Sequence, residues 1–180
     1  MEIDAPAIEA TGLLATQFAE MMYEDLPEET VTNALDRFSD MSPVRDALCA
    51  AAAGPVTAMH DATECGVFGG LYELARAGGV HLDVETDPVP IQPGVEAACA
   101  FFDIDPWISI SEGTLLLTVA PDGVEDVLDA LESEDIPVAE VGAVSEGSGV
   151  TVDGEPIDHP ERDPFWATFE EFMERTEAGQ

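Results

Sequence analysis

Apolar positions along the chain recur first at helical spacing. Between residues 7 and 23, Leu14, Phe18, Met21 and Met22 share one face, with Glu9, Gln17 and Glu20 elsewhere on the wheel. Leu26-Pro27 ends that segment. A second helix is predicted over about 28–38. Ser42-Pro43 is expected to open a third with a capping hydroxyl and a first-turn proline, and Gly54-Pro55 to stop it. The pattern then changes. Val56 to Met59 reads as a short apolar strand, followed by a polar loop from His60 to Glu64. A helix from Gly66 to about Ala77 buries Val67, Leu71 and Leu74, and Gly78-Gly79 closes it. Val80, Leu82 and Val84 alternate with His81, Asp83 and Glu85 as a half-buried strand.

Pro88, Pro90 and Pro93 interrupt regular structure before a helix from Gly94 to Phe102. Thr114 to Ala120 is apolar on both faces, the mark of a central strand. Residues 122–134 form the cleanest amphipathic helix, with Val124, Val127, Leu128 and Leu131 on one stripe and a solvated acidic face opposite. Val138 to Val144 and Gly149 to Val152 read as strands, the latter ending in the turn Asp153-Gly154. A terminal helix from Asp163 carries Phe165, Phe169, Phe172 and Met173, a packing face or, if exposed, an oligomer surface. With no linker and no repeat, this is one α/β domain: a mixed β-sheet flanked by helices. It divides into a helical part over 1–55, an α/β core over 56–160 and a terminal helix over 161–180.

Composition adds a strong constraint. The chain has 180 residues, with 39 Asp and Glu against 5 arginines and no lysine, a net charge of −34. Nucleic acid and anionic membrane surfaces are poor partners for it, because both are held by Lys and Arg. With 46% hydrophobic residues and a mean hydropathy of +0.05, there is still ample material for a core. Self-repulsion opposes compaction in dilute buffer, and at molar salt the Debye length shrinks to ~3 Å. The reading is a halophilic, cytoplasmic protein from a high-salt interior. Cys49, Cys65 and Cys99 form no CxxC pair and are odd in number, which fits a reducing compartment. The first residues lack the features of a signal peptide, and no apolar run approaches the ~18 residues of a membrane span.

The stretch AMHDATECGVFGGL, residues 58–71, carries the candidate chemistry. A strand leads through a polar loop into a glycine-started helix, whose first N–H groups and dipole favour an anion. Gly66, Gly69 and Gly70 allow another backbone or a phosphate to approach closely. Asp61 offers a carboxylate to a divalent cation and Thr63 a hydroxyl to a phosphate oxygen. The alternative is that Thr63 or Asp61 only caps the helix and the glycines serve packing. Cys65, beside a helix N-terminus, is expected to have a lowered thiol pKa, but no partner base is evident.

MHDATECGVFGGLYELARAGGV, then PVPIQPGVEAACAFFDIDPWISISEGTLLLTVAPDGVEDVLDAL and VAEVGAVSEG, resembles the C-terminal domain of the AIR synthase-related superfamily, nearest its archaeal hydrogenase-maturation-like branch. The resemblance runs from about Ile8 to Trp166. It implies an α/β domain that normally follows an N-terminal half bearing most of the Asp ligands for ATP and magnesium. This chain starts at what corresponds to the junction and ends without the cysteine-bearing tail of hydrogenase maturation. By resemblance, Asp61, Thr63, Cys65, Gly66, Glu112 and Gly113 face phosphate or nucleotide, with Asp61 and Glu112 as magnesium ligands. Cys65 departs from the motif, standing where the family usually has the first glycine of a pair. Mg-ATP is expected only together with an N-terminal partner.

The absence of lysine excludes a P-loop mechanism. His60, His81 and His159 lack the clustered spacing of a zinc or di-metal site. Two readings remain. One is the phosphate-facing half of an ATP-dependent enzyme that works with a separately encoded N-terminal half, as a homo-oligomer or with that partner. The other is a non-catalytic binding or structural module that keeps the fold.

Overall fold

A computed structural model describes residues 1–178 except Asp4, with only the backbone of Glu2 and Ile3; the last two positions of the expected terminal helix lie outside the described residues. Eight strands and seven α-helices follow one another among these residues. They are β1 (Glu2–Ile3), α1 (Ile8–Asp25), α2 (Glu28–Asp36), a 3-10 turn (Arg37–Asp40), α3 (Val44–Ala53), β2 (Val56–Asp61), α4 (Gly66–Gly78) and β3 (Val80–Val84). Then come α5 (Val95–Phe102), β4 (Leu115–Val119), α6 (Val124–Ser133), β5 (Ala139–Glu140), β6 (Gly142–Glu146), β7 (Gly149–Val152), β8 (Glu155–Ile157) and α7 (Pro164–Ala178).

The α/β class holds, but the strands divide between two four-stranded sheets rather than one. The first has the order β2-β4-β1-β5 and is antiparallel throughout. The second has the order β6-β3-β7-β8 and is mixed, with β3 and β7 parallel. The division falls within the expected strand Val138 to Val144. Its two ends pair in different sheets, and a Cβ on Gly142 would run into the Asp83 carbonyl of β3. Only glycine lets β6 start there.

Strand β4 is central, as its composition requires. Leu116 packs against Val67 and Leu71 of α4, while Leu115 and Leu117 pack on the other face with Val127 and Leu131 of α6 and Ala50 of α3. A third cluster lies away from the sheets, where Leu14, Phe18 and Met22 of α1 meet Val31, Phe102, Phe165 and Phe172. The Phe18 ring sits 5.6 and 5.7 Å from those of Phe169 and Phe172. The aromatic stripe of α7 is therefore a packing face.

Three local expectations need correction. His60 and Asp61 belong to β2, not to a loop, because Asp61 still pairs with Leu115. No side-chain hydroxyl caps α3, and Pro43 occupies its cap position rather than its first turn. The short strands β1 and β8 have no counterpart in the hydrophobic pattern.

Candidate functional site

The strand–loop–helix corner is real. Strand β2 delivers Asp61 half-buried at its end, Ala62 N–H donates to Thr114 O at 2.9 Å, and the chain turns through Thr63, Glu64 and Cys65 into α4. Thr63 O accepts both Gly66 N–H at 3.1 Å and Ser111 N–H at 3.2 Å. The two stretches singled out in the sequence, around Thr63 and around Glu112, thus run side by side. Thr63 and Glu112 are exposed, whereas Cys65, Gly66 and Gly113 are buried.

What the glycines accommodate is the protein's own backbone. Cys65 and Gly66 are both left-handed, at φ 61° and 58°. A Cβ on Gly66 would stand 2.6 Å from Ser109 O and 2.8 Å from Trp107 O. Phe68 N–H donates to Trp107 O at 3.0 Å, and the two rings stack at 5.8 Å. Buried polar groups hold that neighbouring segment: Ser109 Oγ donates to Asp105 O at 2.6 Å, and Ser111 and Thr114 hydroxyls meet at 2.5 Å. Gly113, at φ 102°, would place a Cβ 2.5 Å from Asp40 O. Gly69 and Gly70 instead make room for side chains, with Cys65 Cβ 2.7 Å and Leu116 Cδ1 2.8 Å from where a Cβ would stand.

The N-terminus of α4 already holds a carboxylate. Asp163, just before α7, accepts the Cys65 N–H at 2.7 Å and the Phe165 N–H at 2.9 Å, and the Ile110 N–H also bonds it. Burial pushes its pKa above the ordinary value while the three N–H groups pull it down. Glu9 of α1 reaches the other side of the turn and accepts the Glu112 N–H at 3.1 Å. Burial raises its pKa first, and the carboxylates of Glu112, Asp163 and Glu64 add to that. The corner is thus ringed by acid: a bare anion is opposed there, and an anion carrying its own cation is not.

Cys65 departs from expectation. Burial pushes its thiol up, and Asp163, Glu64 and Glu73 push it further, so the helix N-terminus does not activate it. Its Sγ instead contacts Pro160 O at 3.7 Å. A cleft of about 610 Å³ opens beside it, lined by Glu64, His159, Arg162, Asp163 and Trp166 among others. His60 pairs with Glu73 of α4 at 2.9 Å, His81 contacts Ser148 O and Thr151, and the His159 ring meets Tyr72 edge-on. Among the described residues no group of three or more His, Cys, Asp or Glu is arranged to hold a metal ion. Two carboxylates alone, those of Asp61 and Glu112, would leave most of a magnesium octahedron to waters and phosphate oxygens.

Asp163 and Glu9 were missed by sequence reasoning. The Asp-Pro pair at 163–164 signals a helix cap, but nothing local links it to Cys65.

A family model described as AIR synthase related protein, C-terminal domain, matches residues 7–155. The chain belongs to this family. Carbamoyl dehydratase HypE of Escherichia coli K12 is 31% identical over 117 residues, covering 61% of this chain and 35% of that protein. The crystal structure of E. coli HypE superposes with a TM-score of 0.71 at 25% identity, covering 91% of this chain and 50% of that one. A hydrogenase maturation protein HypE in complex with ATP (TM-score 0.62, 18% identity, 91% and 51% covered) shares the fold. So does AaThiL complexed with AMPPCP and TMP (TM-score 0.61, 18% identity, 89% and 49% covered). The AIR synthase-related chain therefore spans about half the length of its solved relatives. None of its helices, among the described residues, is long and apolar enough to cross a membrane.

Proposed function

We propose that this chain is the phosphate- and nucleotide-facing half of an ATP-dependent enzyme of the cytoplasm, working with a separately encoded N-terminal half. Asp61, Thr63 and Glu112 face the nucleotide phosphates, and Cys65, Gly66 and Gly113 shape the turns that present them. Asp61 and Glu112 meet the magnesium ion that accompanies them. The observation that carries this reading is the strand–loop–helix corner, in which the Thr63 and Glu112 stretches are joined through Ser111 N–H and Thr63 O at 3.2 Å. The nucleotide complexes of the HypE and ThiL relatives support it. Magnesium supplies charge neutralisation at the phosphates, which this lysine-free chain needs from outside. Thr63 donates to a phosphate oxygen, and the acidic ring keeps out anions without a cation.

Calorimetry with Mg-AMPPCP in molar KCl tests this. Binding to the chain alone is expected to be weak, and at least about tenfold tighter, ~1.4 kcal/mol, with the N-terminal half of a HypE-like relative present. Asp61→Asn abolishes the gain. The purified chain alone does not turn over ATP; robust magnesium-dependent hydrolysis by it would overturn the need for a partner. One observation favours the second reading, a non-catalytic module: Asp163 already takes the Cys65 N–H. In that case nucleotide binds neither with the partner nor without it.

A further inference from the structure

The turn that carries Glu112 to the corner belongs to no helix or strand. Between α5 and β4 the chain runs irregularly over 103–114, with Glu112 and Gly113 near the end of that run. The sides of the turn are bound to neighbouring segments. Ser111 N–H donates to Thr63 O at 3.2 Å, and Ala10 N–H of α1 donates to Ile110 O at 3.0 Å. Thr114 Oγ1 donates to Ala5 O just before α1. The tip is held differently. Glu112 N–H donates to Glu9 Oε2 at 3.1 Å, a carboxylate 103 positions earlier in the chain. Glu9 lies in the first turn of α1, where leading helix N–H groups lack intrahelical acceptors and the N-cap residue, Ala7, offers no side-chain bond. Its carboxylate nevertheless reaches across to the turn.

For stability alone this is a poor place for a carboxylate. Glu9 is half-buried, and the charges of Glu112, Asp163 and Glu64 add to the cost of its own. A bond to the amide of an exposed residue returns little, because water accepts such an N–H as well. What the contact fixes is direction. Gly113 has a left-handed backbone at φ 102°, and a Cβ on it would stand 2.5 Å from Asp40 O. The backbone that aims the Glu112 side chain is therefore wedged on one side by Asp40 and tied on the other by Glu9. We propose that Glu9 is a positioning residue of the nucleotide corner: by holding the Glu112 amide, it sets where the Glu112 carboxylate faces the incoming nucleotide. It acts through its hydrogen bond and not through its charge. A turn ordered before the ligand arrives spares binding the cost of ordering it, so losing the bond weakens affinity without abolishing it. This role rests on the nucleotide reading given above and brings α1 into the site.

Two substitutions separate reach from charge. Glu9→Gln keeps an acceptor oxygen at the same reach and removes the charge. Glu9→Asp keeps the charge and falls one methylene short of the Glu112 N–H. Heteronuclear NMR on the full chain in molar KCl, titrated with Mg-AMPPCP, reads weak binding at the Glu112 and Gly113 amides and the fold at all the others. We expect Glu9→Gln to bind within about twofold of the wild type and Glu9→Asp at least about fivefold more weakly, with signals away from the turn unchanged. Weak binding by Glu9→Gln overturns the proposal whatever Glu9→Asp does, because charge then matters. So does a Glu9→Asp that binds like the wild type. A wild type whose amides do not respond to Mg-AMPPCP overturns the nucleotide reading itself, and the positioning role with it, whereas a responsive wild type with unresponsive substitutions overturns only the role of Glu9. Should Glu9→Asp lose its fold, Glu9→Ala, which favours the helix, is held to the same fivefold weakening.

Discussion

Asp163 does two structural jobs with one carboxylate. It caps α7 through Phe165 N–H at 2.9 Å and ties the start of α4 through Cys65 N–H at 2.7 Å. Two positive helix ends thereby share one negative charge, which offsets part of the cost of burying it among Glu9 and Glu64. Losing the cap alone costs ~0.5–2 kcal/mol, and an orphaned Cys65 N–H adds ~1–3 kcal/mol. Because Asp163 is only half-buried, water recovers some of this. We expect Asp163→Ala to lose about 1–3 kcal/mol in urea unfolding at fixed molar KCl, and Asp163→Asn, which keeps an acceptor oxygen, to lose less. An alanine variant within about 0.5 kcal/mol of wild type would show that the bridge is incidental. The capping half of this role is legible in the sequence as Asp-Pro before an apolar helix. The other half spans 98 positions. No local pattern encodes a partner at that distance, and the same holds for Glu9 and Glu112.

At the scale of elements, the glycines at the start of α4 fit helix and neighbouring loop together. Gly66 and Gly79, at opposite ends of this helix, separate two effects. Both have left-handed backbones, at φ 58° and 63°. A Cβ on Gly79 meets nothing within 4 Å, whereas one on Gly66 lies 2.6 Å from Ser109 O. Gly79→Ala should therefore cost only the left-handed penalty, ~1–2 kcal/mol. Gly66→Ala should cost ~2–5 kcal/mol, because overpacking against backbone adds ~1–3 kcal/mol. Equal losses in thermal or urea unfolding would mean that the Trp107–Ser109 segment yields freely. The long periodic helices were readable because apolar residues recur over several turns, as in α1, α4 and α6. Central β4 was readable because both its faces are buried. The two-residue strands β1 and β5 are too short to show any period. The division between β5 and β6 depends on Gly142 lying beneath Asp83, which is a property of the assembled sheets. The corner of the candidate site was legible as an order of elements. Its acidic ring was not, since α1, the Glu112 stretch and Asp163 meet only after folding.

At the scale of the whole molecule, the acid is a shell. No Asp or Glu with a described side chain is in the buried class, and the buried polar residues are Thr11, Ser109, Ser111, Thr114 and Thr118. Five arginines cannot neutralise 39 carboxylates, and two of them already pair locally, Arg37 with Asp40 at 3.2 Å and Arg45 with Glu134 at 3.1 Å. Two like charges ~10 Å apart in water repel by ~0.4 kcal/mol. With many such pairs the total reaches several kcal/mol, comparable to the ~5–15 kcal/mol that holds a domain together. At molar salt, where the Debye length is ~3 Å, each pair falls to a few hundredths of that value, and at ~0.1 M it stays substantial. The unfolded chain spreads the same charges farther apart, so repulsion acts against the folded state. We expect the melting temperature to climb steeply with KCl and compact structure to be lost on dialysis below roughly 0.1 M. Circular dichroism during the dialysis gives the answer. Sodium chloride at equal ionic strength should act alike, because screening depends on ionic strength and not on the cation. A melting temperature unchanged between dilute buffer and molar KCl would mean that the carboxylates lie too far apart to oppose folding, and that salt does not govern this molecule's stability.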